Sequence, residues 1–129
     1  MDYSYSKNIN LSFKDIEIKV REVLLDVGFG ILTEINIKDA FKTKLDLDYK
    51  NYKILGACNP NLAHQALENE SLIGILMPCN IVIIDNEDGS TKVVFPNAKN
   101  LLEITNNNKI VPLANRVDSI LKEAFDKLS

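Results

Sequence analysis

Two Cys-Asn dipeptides, Cys58-Asn59 and Cys79-Asn80, are the residues of this chain best suited to chemistry. Cys58 stands directly before Asn59-Pro60, which reads as a helix start: an N-cap side chain followed by proline at the first helical position. Open N–H groups and the positive end of a helix dipole favour an anion there, which predicts a stabilised thiolate and a lowered Cys58 pKa. His64 follows one turn further on, where it would share space with Cys58 and serve as its base. Burial among Ile54, Leu55 and Leu62 would work against the dipole. The plain alternative is that Cys58 only packs, since free cysteine is among the most buried residue types. Cys79 enters a strand after Pro78 and shares a face with Ile81 and Ile83 on the period-two rule. Asn80 then points the other way, with Val82 and Ile84. If buried, it would need partners such as the backbone of the Cys58 turn.

Cys58, His64 and Cys79 together are also three ligands for a soft metal ion, with Glu34 or Glu68 available to complete a set. The pattern falls short of a structural zinc site, which wants close cysteine pairs; here the cysteines are 21 positions apart and there is one histidine. No Cys-x-x-Cys redox pair, Walker loop or Gly-x-Ser-x-Gly elbow is present, and Gly28-Phe29-Gly30 lacks the third glycine of a dinucleotide fingerprint. Asp85, Glu87 and Asp88 with Gly89 read as a solvated hairpin turn rather than a calcium loop.

The elements that must position these residues follow from periodicity. Tyr3 and Tyr5 alternate with Ser4 and Ser6, a strand signal. Ser12 and Asp15 resemble a capping box, and Ile16, Val20, Val23, Leu24 and Val27 form one helical stripe that Gly28 ends. Phe29 to Ile37 alternates, with Ile31, Thr33, Ile35 and Ile37 predicted on one face and Leu32, Glu34 and Asn36 on the other. Asn36 caps a short helix whose predicted buried side is Ile37, Ala40, Phe41 and Leu45. Tyr52 to Ala57 is a strand, the helix at Pro60 follows, and Leu72 to Met77 reads as a turn or short 3-10 piece around Gly74. Cys79 to Ile84 and Thr91 to Phe95 form a hairpin about residues 86–89. A short helix over 98–104 and an amphipathic helix carrying Leu113, Val117, Ile120, Leu121, Ala124, Phe125 and Leu128 complete the chain. The hairpin and the lack of regular crossovers predict an α+β fold with an antiparallel sheet and packed helices.

With 129 residues, 46% of them hydrophobic, the chain can build one core, so a single domain over 1–129 is expected. The net charge of −3 and scattered lysines speak against nucleic acid, which needs a basic patch. The N-terminal residues lack the apolar run of a secretory leader, and no stretch approaches a membrane span. A cytoplasmic setting with both cysteines as thiols is the expectation.

The runs Gly28-Phe29-Gly30-Ile31-Leu32-Thr33-Glu34-Ile35, Tyr52 to Pro60, Leu62-Ala63-His64 and Leu76 to Val82 resemble the signature blocks of the domain of unknown function 302 family, over about residues 3–95. The resemblance implies a TATA-binding-protein-like β-α-β(4)-α core with inserted short helices, and a homodimer. It carries over Glu34, Cys58, Asn59, Pro60, His64, Pro78, Cys79 and Asn80 as motif positions and assigns them no reaction or cofactor. After Val94 the sequence departs from the pattern. Three readings stay open: a dimeric binding protein for a small molecule or soft metal ion, with a cleft lined by Cys58, Asn59, His64, Cys79, Asn80 and Glu34; a thiol-dependent enzyme using Cys58 and His64; and a structural assembly subunit without a ligand.

Overall fold

A computed structural model describes residues 2–129. The elements run β1 (Ser4–Ile9), α1 (Phe13–Asp26), β2 (Gly30–Asn36), α2 (Ile37–Leu45), β3 (Tyr52–Cys58), α3 (Pro60–Asn69), a 3-10 turn (Ile73–Leu76), β4 (Cys79–Asp85), β5 (Thr91–Pro96), α4 (Ala98–Leu102), a second 3-10 turn (Glu103–Thr105) and α5 (Val111–Asp126). The strands form one antiparallel sheet in the order β1-β5-β4-β3-β2. Without the short helices the order is strand, helix, four strands, helix, as expected for an α+β fold with a β-α-β(4)-α core.

Local signals set the helix ends. The Ser12 side chain accepts the Asp15 N–H, and Asn36 accepts that of Asp39, each satisfying a donor the first turn leaves open. α1 stops where Gly28 takes φ +87°. Its N–H bonds the Leu25 carbonyl at 3.0 Å, and the Phe29 N–H bonds the Leu24 carbonyl at 2.9 Å, closing a Schellman motif.

One sheet face is the core. Leu55, Ile81, Ile83, Val93 and Phe95 alternate inward and are fully buried beneath Ile16, Val20 and Leu24 of α1 and Leu121 and Ala124 of α5. The alternate residues Ile54, Val82, Ile84 and Val94 lie on the other face and are only half-buried.

Two expected arrangements differ. β2 does not alternate strictly, because a bulge between Ile31 and Thr33 inserts Leu32 as an extra residue. Ile31 pairs with Ala57 and packs against the core, Thr33 pairs with Gly56, and Glu34 pairs with Leu55. Thr33 and Ile35 are thereby turned away from Ile31's face, and Glu34 is brought onto it. α2 buries no residue fully, and Leu45 is exposed. Phe41 instead packs edge-on against Tyr49, with ring centroids 5.1 Å apart.

The bulge places Glu34 in a charged group. Lys53 reaches Glu17 at 2.7 Å and Glu34 at 2.9 Å, and Arg21 reaches the same two carboxylates at 2.9 and 3.2 Å. Partial burial works to raise the Glu17 pKa, but the hydrogen bonds and charges of Lys53 and Arg21 outweigh it and leave the carboxyl below its ordinary value. Stability from this cause is present above the unfolded-state carboxyl pKa of about 4.3 and is lost as pH falls through the lower folded value. Glu17→Gln is therefore expected to lower the urea midpoint at pH 7 and to shrink the acid-side loss of stability. Parallel midpoint-against-pH curves for the two proteins would contradict this.

Candidate functional site

The two cysteines meet because β3 ends where β4 begins. Ala57 pairs with Cys79 and Gly56 with Asn80, so Cys58, the last residue of β3, lies beside the entry to β4. Gly56 is required at this junction. A Cβ there would collide with the Thr33 hydroxyl and lie 2.7 Å from Pro78 Cγ. The Met77–Pro78 peptide is cis.

Cys58 leads into α3 as expected. Asn59 Oδ1 accepts the Leu62 N–H at 3.1 Å and Pro60 opens the helix. Asn59 also touches the end of α1, since a Cβ on Gly28 would sit 3.2 Å from its amide nitrogen. Asn59→Ala is expected to cost about 0.5–2 kcal/mol, the range for a lost N-cap. Asn59→Asp, which keeps the acceptor, should cost less. Equal urea midpoints for wild type and Asn59→Ala would rule out the cap as a stabilising contact.

Both cysteines are free thiols and line one small cavity of about 50 Å³. Apart from Asn59 its other walls are apolar and include Phe29, Leu62, Ala66, Ile73, Leu102 and Val117. Burial raises the Cys58 pKa. Burial, reinforced by the neighbouring Cys58, pushes the Cys79 thiol up to about 11. The position before α3 predicts a lowered Cys58 pKa; the direction found is upward, from partial burial beside the apolar cavity.

A second opening, of about 290 Å³, lies on the far side of the 76–79 segment. Leu76, Met77, Pro78, Cys79 and Leu102 border both spaces. Ser4, Asn80, Val82, Val94 and Leu101 line only this larger cleft. Asn80 is exposed rather than buried, so it needs no partner from the Cys58 turn. Cys79 shares the inward face of Ile81 and Ile83, as period two requires.

Two sequence-predicted residues stand apart from the thiols. His64 does not share the space of Cys58. Its side chain is 75% exposed, its Nε2 lies 3.2 Å from Glu68, and it borders a surface hollow with Asn59, Gln65 and Arg116. Glu34 is held by Lys53 and Arg21. Neither His64 nor Glu34 lines the thiol cavity, and among the described residues no three His, Cys, Asp or Glu side chains group to hold a metal. A metal set of Cys58, His64 and Cys79 is therefore not assembled, because the helical twist of α3 carries His64 to its solvent side. Sequence reasoning did not place Met77, Ile73 or Leu102 at the site. Met77 was legible as the neighbour of Pro78, whereas Leu102 arrives through long-range packing of the segment after β5 and leaves no local signal.

No curated protein matches the chain. The crystal structure of an uncharacterized conserved DUF302 protein from Bacillus stearothermophilus has a TM-score of 0.90 to it over 100% of both chains, at 24% sequence identity, a likeness of fold. The family described as domain of unknown function DUF302 matches residues 5–128. The match extends through the segment after Val94, so the departure expected there does not place it outside the family domain. The chain belongs to the DUF302 family.

Proposed function

We propose that the chain is a dimeric binding protein that takes a small, largely apolar molecule in the cleft beside Pro78, Cys79 and Asn80. The observation that carries this reading is the cleft itself. Its volume of about 290 Å³ is close to the lower end of small-molecule pockets, about 300–1,000 Å³. Its walls are mostly aliphatic, with Ser4 and Asn80 as polar groups able to orient a ligand. The thiol-enzyme alternative finds less support, because burial raises both thiols and His64 is turned toward Glu68. The dimer rests on the outer sheet face. Ile35 is 48% exposed there, beside half-buried Ile54, Val82 and Ile84, and apolar patches of this kind favour association. A reducing, cytoplasmic setting is part of the same reading, since both cysteines are free. No helix among the described residues is long and apolar enough to cross a membrane.

The test has two arms. Sedimentation velocity at micromolar concentration should give twice the 14.5 kDa chain mass, and Ile35→Lys should return the monomer. Ligand-observed NMR with short aliphatic and aromatic amphiphiles should detect binding that Leu101→Trp, which fills the cleft, abolishes. A monomer in the first arm removes the dimer. Binding that survives Leu101→Trp, or no binding at all, removes the cleft; a dimer without ligand is the structural-subunit result.

A further inference from the structure

The ladder between β4 and β5 stops before either strand does. Its pairs run from Asp85 with Thr91 to Val82 with Val94. β4 continues along β3 to Cys79, and β5 continues along β1 to Pro96. Extended by two residues, the register sets Asn80 opposite Pro96. Neighbouring bonds show which way the main-chain groups face. The Asp85 N–H donates to the Asn51 carbonyl, on the β3 side, and the Asn86 N–H donates to the Ser90 carbonyl, on the β5 side. Successive residues of an inner antiparallel strand turn to alternate neighbours, so Ile84, Val82 and Asn80 face β5 as Asn86 does. The Asn97 N–H donates to the Tyr3 carbonyl, on the β1 side, at 2.8 Å, so Pro96 faces β4. Proline has no N–H to give. The Asn80 main-chain carbonyl is left without its ladder donor, and Asn80 and Pro96 both border the cleft of about 290 Å³.

No Asp, Glu, Lys, Arg or His among the described residues lines that cleft. A carboxylate or ammonium group entering it would lose water without meeting a counter-charge, which is costly. A ligand without an N–H or O–H would displace water from the Asn80 carbonyl and leave that acceptor unpaired. Ser4 pairs with Pro96 and so lies on the same sheet face as Asn80. Its hydroxyl and the Asn80 side-chain amide can each donate to an acceptor on the ligand. We propose that the cleft takes an uncharged aliphatic amide, whose N–H donates to the Asn80 main-chain carbonyl and whose oxygen accepts from the Asn80 or Ser4 side chain. The apolar chain lies against Val82, Val94 and Leu101. This ligand class rests on the cleft being a ligand site.

The experiment titrates the full chain at pH 7 with hexanamide, methyl hexanoate, hexanoate and hexylammonium, followed by ligand-observed NMR. Hexanamide should bind at least about tenfold more tightly than each of the other three, and Leu101→Trp should abolish its binding. Pro96→Ala gives the ladder its missing N–H, which then occupies the Asn80 carbonyl. In that variant hexanamide should come within about twofold of methyl hexanoate, and hydrogen exchange should show a protected N–H at position 96. The comparison of probes is made on the wild-type chain, so it decides the ligand class however Pro96→Ala folds. Methyl hexanoate or a charged probe that binds as tightly as hexanamide, and is lost in Leu101→Trp, overturns the amide class and leaves the cleft standing. An undiminished hexanamide preference in a folded Pro96→Ala overturns the role of the Asn80 carbonyl. No binding of any probe overturns the amide and the cleft together.

Discussion

Phe95→Ala is expected to cost about 3–5 kcal/mol, the range for removing a buried aromatic ring. Phe95 is fully buried and joins three elements through its ring. It meets Phe125 of α5 at 5.2 Å between centroids and Tyr5 of β1 at 6.1 Å, while Tyr5 and Phe125 meet edge-on at 4.7 Å. Loss of Phe95 removes two of these three ring contacts and leaves Tyr5 against Phe125 as the one ring contact of the cluster between the sheet and α5. Against a total stability of about 5–15 kcal/mol, that is enough to bring the variant near its unfolding transition at room temperature. The urea midpoint should fall sharply at an unchanged slope, because the surface exposed on unfolding stays similar. Tyr5→Phe is the internal control. The Tyr5 hydroxyl is buried without a hydrogen-bond partner among the described residues, and burial, with Asp118 nearby, pushes its pKa well above the ordinary phenol value. Removing that oxygen should be neutral or stabilising, since an unpaired buried hydroxyl carries a desolvation penalty. A Phe95→Ala midpoint within the error of wild type would mean that the three-ring cluster does not secure α5.

Features that depend on a few adjacent residues were legible in the sequence. Ser12, Asn36 and Asn59 each announce a helix, because a side-chain acceptor three positions before an open N–H acts within one turn, and each makes that bond. The hairpin of β4 and β5 was legible because its turn residues and its β-branched strands agree with one another. The bulge at Leu32 was not, since an extra residue shows in the pairing register rather than in side-chain type. Its effect is large for the site: it changes the face of Glu34 and ties that carboxylate to Lys53 and Arg21. His64 was misplaced for a related reason. A spacing of one turn from the helix start fixes its angle about α3 but not which side of α3 faces the sheet, and packing of Leu62 inward sends His64 to solvent. Leu102, one of the residues that border both spaces, depends on α4 folding back over the 76–79 segment, a contact no local pattern encodes.

Alkylation of the two thiols at neutral pH should be slow and unequal, with Cys58 modified before Cys79. The Cys79 thiol is raised from the ordinary 9.0 to about 11, first by burial and then by Cys58 beside it. Two pKa units leave about 100-fold less of the reactive thiolate. A more basic thiolate is also a better nucleophile, and a Brønsted slope of about 0.4–0.5 returns roughly tenfold of that. The net expectation is about tenfold slower reaction at Cys79 than at an unperturbed thiol, and restricted access in the cavity adds to the delay. Burial alone raises Cys58, and it lacks the second contribution that Cys79 has. The measurement is peptide-resolved mass spectrometry of iodoacetamide labelling over time, at pH 7 and again at a pH above 11, where ionisation no longer limits Cys79 and only access remains. The gap between the sites should narrow at the higher pH if the chain stays folded, as circular dichroism in the same buffer would show. His64→Ala should leave the neutral-pH rates unchanged, because His64 lies against Glu68 at the surface and not in the thiol cavity. A fall in Cys58 labelling in that variant would mean that the histidine activates the thiol after all, and the enzyme reading would then displace the binding one.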